Sequence, residues 1–251
     1  TREMLKAQAE CRWGVDGMNK WYGLYGRTAG IIGMGHNGKA LADRLHALGM
    51  NIIAYSNSPL EGYDYITRKL SAKNGDTIQP LLEQSDFILL NVPLNDSTYH
   101  MINKESLAMC KTGAFLVNMA RGGIVCTEDL IDALNSGKLS GAGLDVFEEQ
   151  PLSPDSPLWN MENVYITPHS TPQVPNRAAR SIEIIRENAR RFEAGEPFLN
   201  LMKPSDAMSG EKAEGGWSKL MNSKIPKEQI KIEMLEKVLG KRGWTDPSEW
   251  M

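Results

Sequence analysis

Ile31-Ile32-Gly33-Met34-Gly35-His36-Asn37-Gly38 places three glycines in a G-x-G-x-x-G pattern, with an apolar run before it and an amphipathic run after it. Between a strand and a helix, each glycine of this pattern has its own physical role. The first permits a tight turn, the second lets backbone approach a pyrophosphate, and the third allows close packing of helix on sheet. The helix that starts there presents unpaired N–H groups and the positive end of its dipole, which suits a phosphate. Gly33, Met34, Gly35, His36, Asn37 and Gly38 are therefore the expected cradle of a dinucleotide.

The residue that closes the next strand selects the form of that dinucleotide. A carboxylate there would accept from a ribose 2′-hydroxyl and repel a 2′-phosphate. Here the strand ends in Ala54-Tyr55, and Ser56-Asn57-Ser58 follow, three residues that can donate hydrogen bonds to a phosphate. The nearest downstream cations are Arg68 and Lys69. The pattern favours NADP over NAD and leaves dual use open.

Three further segments carry reactive side chains: Asn118-Met119-Ala120-Arg121-Gly122-Gly123, Leu144-Asp145-Val146-Phe147-Glu148-Glu149-Gln150-Pro151 and Thr167-Pro168-His169-Ser170. Each follows a predicted strand, at the carboxyl edge where an open α/β sheet collects its ligands. An arginine offers a two-pronged clamp for a carboxylate, and a histidine offers a general acid or base. Beside a nicotinamide, the pair points to oxidation of a hydroxy acid or reduction of the matching keto acid.

The elements that must position these groups follow from the apolar pattern. Short apolar runs predict strands at 28–32, 51–55, 87–91, 114–118, 141–146 and 164–167, alternating with helical spacing such as Leu41, Leu45 and Leu48. That alternation predicts an α/β fold, a doubly wound parallel sheet of Rossmann type with flanking helices. A helix is expected from Thr127 to the Ser136-Gly137 stop, and a longer one over 176–194, with Ala178, Ile182, Ile185, Ala189 and Phe192 on one face. Residues 1–25 are expected to be a connecting helix and linker, 26–172 the dinucleotide-binding domain, 173–200 the long helix, and 201–251 a polar linker with an amphipathic helix near 227–239.

Composition narrows the class. With 251 residues, 41% hydrophobic and 24% charged, and a net charge of −3, the chain has material for a real core. It has no basic stripe suited to nucleic acid. Its apolar runs fall far short of the roughly 20 residues of a membrane span, and a cytoplasmic protein is expected. Cys11, Cys110 and Cys126 are too few and too scattered for a disulfide framework or zinc site, and the four histidines form no ligand-like pair, so no metal is expected.

From about Leu24 to Pro197, with these motifs in order, the sequence resembles the NAD(P)-dependent D-2-hydroxyacid dehydrogenases. The resemblance implies that Arg121 holds the substrate carboxylate and polarises the reacting carbonyl, and that His169 exchanges a proton with the substrate oxygen beside the cofactor. It implies that Val92 and Pro93 line the cofactor groove, that Ala120, Asp145 and His169 also bind the cofactor, and that Asp145 supports the site. The implied substrate is a small 2-keto or 2-hydroxy acid of the glyoxylate or hydroxypyruvate kind. The implied assembly is a homodimer through the nucleotide-binding domains.

Gln150 departs from the family pattern, in which a glutamate before this proline pairs with the histidine. An amide orients the ring but supplies no charge to hold it protonated. Formate dehydrogenases are similar in carrying glutamine there, which keeps a formate-type reaction as a minor alternative. The family also has a substrate domain on the order of 100 residues, of which this sequence is expected to carry little beyond the connecting helix. A catalytically weak NAD(P)-binding module is the alternative from a different class.

Overall fold

The computed structural model describes residues 2–15, 23–171 and 175–201; the expected linker and helix within 202–251 lie outside the described residues. An N-terminal helix α1 spans Arg2–Ala9. Strand β1, Thr28–Ile32, then leads through the glycine pattern into α2, His36–Ala47, and β2, Asn51–Ser56. The chain continues through β3 (Ile66–Ser71), α3 (Gln79–Gln84), β4 (Phe87–Leu90), α4 (Lys104–Met109) and β5 (Ala114–Asn118). The remaining described elements are α5 (Thr127–Asn135), β6 (Leu139–Leu144), β7 (Val164–Ile166) and α6 (Arg177–Ala194).

All seven strands are parallel and lie in one sheet, in the order β3-β2-β1-β4-β5-β6-β7. Neighbouring side chains on a strand point to opposite faces, and the core divides accordingly. Ile32, Ile53, Ile88 and Leu90 belong to one apolar cluster with Leu81, Leu107, Leu130 and Leu134 from α3, α4 and α5. Ile31, Ile52, Ala54 and Leu89 belong to the other, with Ala42 of α2 and Met50. Burial on both faces explains why the central strands are nearly continuous apolar runs. The doubly wound sheet is thus the expected one, with one more strand.

The added strand is β3. Thr67, Arg68 and Lys69 in its middle are exposed while Ile66, Leu70 and Ser71 are buried, the pattern of an edge strand, and the polar centre hides it from an apolar-run search. Strand β6 begins and ends two residues earlier than its apolar pattern indicates, since Leu139 pairs with Ala114 and the ladder stops at Leu144. Val146 is buried but lies in the loop.

The strand order reverses between β1 and β4, which diverge into loops on opposite sides of the carboxyl edge. Gly33 turns there at φ +102°, with a hypothetical Cβ only 2.5 Å from the Asn91 carbonyl oxygen. A Cβ on Gly38 would overlap the Gly33 carbonyl oxygen, so the first turn of α2 sits directly on the loop. Gly35 differs: a Cβ there would meet nothing within 4 Å. At the far end, α6 closes at Gly195 (φ +67°) with Glu196 N–H donating to Arg191 O at 2.8 Å. Ile185 and Phe192 on its expected apolar face are 67% and 57% exposed.

Gly38→Ala is expected to cost about 1–3 kcal/mol through this overlap, while Gly35→Ala costs less than about 1 kcal/mol. Urea unfolding of the two variants checks the contrast; equal costs would show that the turn can rearrange.

Candidate active site

Between the loops that follow β1, β2 and β4 lies a groove of about 810 Å³. Gly33, Met34 and Gly35 form one wall, Ser56, Asn57 and Ser58 close one end, and Val92 and Pro93 form the facing wall. These eight expected residues are brought together. His36, Asn37 and Gly38 lie behind the wall in the first turn of α2, whose leading N–H groups have no partner within the helix. Ser56 Oγ donates to Ser58 O at 2.5 Å, and Ser71 Oγ and Lys73 N–H both donate to Asn57 O, so the Ser-Asn-Ser turn is braced on the end of β3.

Among the groove residues that sequence reasoning missed, two bear on what the groove could hold. Lys39, one position past the last glycine, brings a cation to the groove, with Nζ 5.7 Å from the Tyr63 ring centroid. Asn91 is the other. Its Nδ2 is buried and lacks a partner among the described residues. The available signal was its place at the carboxyl end of β4, directly across the switch from Gly33.

The groove fits a dinucleotide on its own features. Gly35 leaves open the space a Cβ would fill, α2 aims its N-terminus there, and Asn91 offers a donor whose burial without a partner costs roughly 1–3 kcal/mol. The end of the groove at Ser56 carries no carboxylate, although Glu61 lies along the same lining.

The remaining expected residues stand on the loops after β5, β6 and β7, outside the groove lining. Asn118, at the end of β5, is buried; its Oδ1 accepts from Ala120 N–H at 3.1 Å and its Nδ2 donates to Arg121 O at 3.0 Å, which shapes the turn carrying Arg121. Arg121 Nη1 donates to Ala120 O at 2.6 Å. Gly122 follows, so close to Phe147 O that only glycine fits.

Gln150 and His169 meet directly, Nε2 to Nδ1 at 3.3 Å. With Nδ1 engaged by Gln150, the outward ring nitrogen is Nε2. His169 adopts φ +51°, a left-handed conformation that costs a non-glycine residue on the order of 1 kcal/mol unless its surroundings impose it. Asp145 imposes it. The Asp145 carbonyl accepts from His169 N–H at 2.9 Å, and its carboxylate accepts from Thr167 Oγ1 at 2.5 Å, Ser170 N–H at 2.8 Å and Thr171 Oγ1 at 2.7 Å. Burial pushes the Asp145 carboxyl upward, but the bonds from Thr167, Thr171 and Ser170 outweigh it and hold the group below the usual carboxylate range.

The NAD-binding-domain profile of the D-isomer specific 2-hydroxyacid dehydrogenases matches residues 1–171. The chain belongs to this family. Its fold as a D-2-hydroxyacid dehydrogenase nucleotide-binding domain is shared with solved members. A D-isomer specific 2-hydroxyacid dehydrogenase from Xanthobacter autotrophicus Py2, crystallised with NADPH, aligns with a TM-score of 0.67 and 35% identity over 80% of this chain and 79% of that one. The NADPH-dependent glyoxylate/hydroxypyruvate reductase of Sinorhizobium meliloti, crystallised with NADP and sulfate, aligns with a TM-score of 0.70 and 28% identity over 80% and 62%. A glyoxylate reductase of Korarchaeum cryptofilum is 42% identical over 181 residues, 72% of this chain and 53% of its own. The chain thus spans about half the length of that relative. Among the described residues, no group of three or more His, Cys, Asp or Glu is placed to hold a metal ion, and no helix is long and apolar enough to cross a membrane.

Because the Asp145 carboxyl is held low, its contribution to stability is complete above the unfolded value of about 3.9 and is lost as pH falls through the folded value. Asp145→Asn is expected to destabilise by ~2 kcal/mol at pH 7 and to remove part of the acid limb of a stability-against-pH curve. A variant with an unchanged acid limb would contradict the anchoring role.

Proposed function

We propose that this chain carries the cofactor half of an NAD(P)-dependent 2-hydroxyacid dehydrogenase acting on a small 2-keto or 2-hydroxy acid of the glyoxylate or hydroxypyruvate kind. The observation that carries the proposal is the Gln150–His169 pair, set by the Asp145 anchor at the same carboxyl edge as the dinucleotide groove. When bound, the nicotinamide supplies or accepts the hydride. Arg121 holds the substrate carboxylate and withdraws electron density from the carbonyl. His169 Nε2 delivers a proton to the substrate oxygen in reduction and removes one in oxidation. Asp145 works from behind, fixing the backbone that presents the ring.

The cofactor would lie against Gly33, Met34, Gly35, Val92 and Pro93, with its adenosine ribose toward Ser56, Asn57 and Ser58. NADP is the favoured form, because this turn has no carboxylate and Lys39 adds positive charge to the groove. Assembly as a homodimer through the nucleotide-binding domain is part of the same proposal. A second reading, a nucleotide-binding module of weak activity, is favoured by Gln150, an amide that orients the His169 ring but brings no charge to it.

One experiment separates the readings: NADPH oxidation with glyoxylate, hydroxypyruvate and pyruvate, alongside direct titration of the cofactor. Turnover that falls on the order of 100-fold or more in His169→Ala, with cofactor affinity kept, supports the dehydrogenase; tight binding with no turnover selects the module. Ser56→Asp should weaken NADPH about tenfold relative to NADH through repulsion of the 2′-phosphate. An unaltered NADPH-to-NADH ratio would place the selectivity elsewhere.

A further inference from the structure

The loops at the carboxyl edge are joined by one imidazole–carboxylate contact that the proposed chemistry does not use. The loop after β4 leaves the groove wall and reaches His100, whose backbone N–H donates to Gly123 O at 2.8 Å. Ile102 N–H donates to Ile124 O at 3.0 Å, and Cys126 N–H returns to Ile102 O at 2.8 Å. These bonds stitch the groove loop to the loop that bears Arg121. Glu148, two residues before Gln150, then reaches across from the loop after β6. Its Oε1 lies 2.5 Å from His100 Nε2, and its Oε2 accepts from Thr127 N–H at 2.7 Å, at the start of α5.

The pair is not a loose surface bridge. Both side chains are about one-third exposed (31% and 30%), and Tyr99 stacks on the His100 ring with centroids 4.0 Å apart and planes 14° from parallel. The Tyr99 ring in turn lies against Gly123. His100 is held at φ +49°, another left-handed non-glycine residue imposed by its neighbours. Below the pair, the backbone of Gly122 abuts the Phe147 carbonyl. Arg121 and Gln150 thus belong to two loops that meet at Gly122–Phe147 and are locked by His100–Glu148.

We propose that His100 and Glu148 form a positioning pair that fixes the distance between the carboxylate clamp and the acid/base, Arg121 against His169. Its kinetic consequence rests on the dehydrogenase reading. Glu148 sets the Arg121 loop through Thr127 and His100, whereas the Asp145 anchor sets the His169 loop independently. Loosening the pair therefore moves the clamp while the histidine stays in place. Substrate affinity falls, and the Gly33–Gly38 and Ser56–Ser58 contacts to the cofactor persist.

The test uses the full chain as Glu148→Gln, His100→Ala, the double variant and His100→Gln, which keeps a donor toward Glu148. Each of the first two should raise the KM for glyoxylate about tenfold, with kcat and NADPH affinity within about threefold. The double variant should be no worse than the poorer single, and His100→Gln should recover most of the loss. Amide hydrogen exchange should rise in residues 97–103 and 121–128 in both single variants but not in α2. Additive losses, a fall confined to kcat, or exchange unchanged in both segments would overturn the pair. A parent chain with no turnover on any 2-keto acid would sink the dehydrogenase reading by itself; exchange would then still decide the pair, raised in its favour and unchanged against it.

Discussion

Parallel strands all run out on the same edge, and in this sheet the order changes direction once, between β1 and β4. The connections from those two strands must leave in opposite senses, which opens a crevice that no side chain needs to build. Among the described residues, the groove and the candidate catalytic side chains are arranged around that constraint. Gly33 and Asn91 are its two lips, close enough that one must be glycine. The apolar interior needs only to keep the strands in register, and the two clusters on opposite faces do so with residues alternating along each strand.

Where the ladder ends, side chains replace it. Asn118 closes the turn after β5, Asp145 binds the loop after β7, and Glu148 ties the loop after β4 to the start of α5. Each is a polar side chain that accepts from a backbone N–H with no sheet partner, and at Asp145, the buried carboxylate of the set, both oxygens accept two bonds. The same device appears at the opposite edge, where Asp86 accepts from Thr28 N–H at 2.9 Å and Lys111 Nζ at 2.7 Å. Irregular backbone near the site is therefore held by specific bonds, including the two histidines in left-handed conformations.

The fold was legible because its signals are local and periodic. Apolar runs located β1, β2, β4, β5, β6 and β7, and the glycine pattern located the groove. Strand β3 was hidden because an edge strand can carry Arg68 and Lys69 without burying either charge. In the site, Gln150 and His169 could be named from motif, and their contact follows from the adjacency of β6 and β7. The His100–Glu148 pair had no such signal: its partners are separated by 48 positions, and only the strand order brings their loops together. Asn91 and Lys39 were missed for a related reason, since an amide just past a strand and a lysine near the start of a helix look like ordinary surface until the groove between them is known.

The amino edge of the sheet has a separate consequence. Its turns at Gly113 and Gly137 adopt positive φ, and a side chain at either would meet open space. They close the chain without touching the groove or the loops that bear Arg121 and His169. Lengthening a connection costs little free energy when the added residues stay in solvent. These two turns are thus the natural places to splice a reporter or an affinity tag into the middle of the domain, leaving the reactive face of the sheet undisturbed.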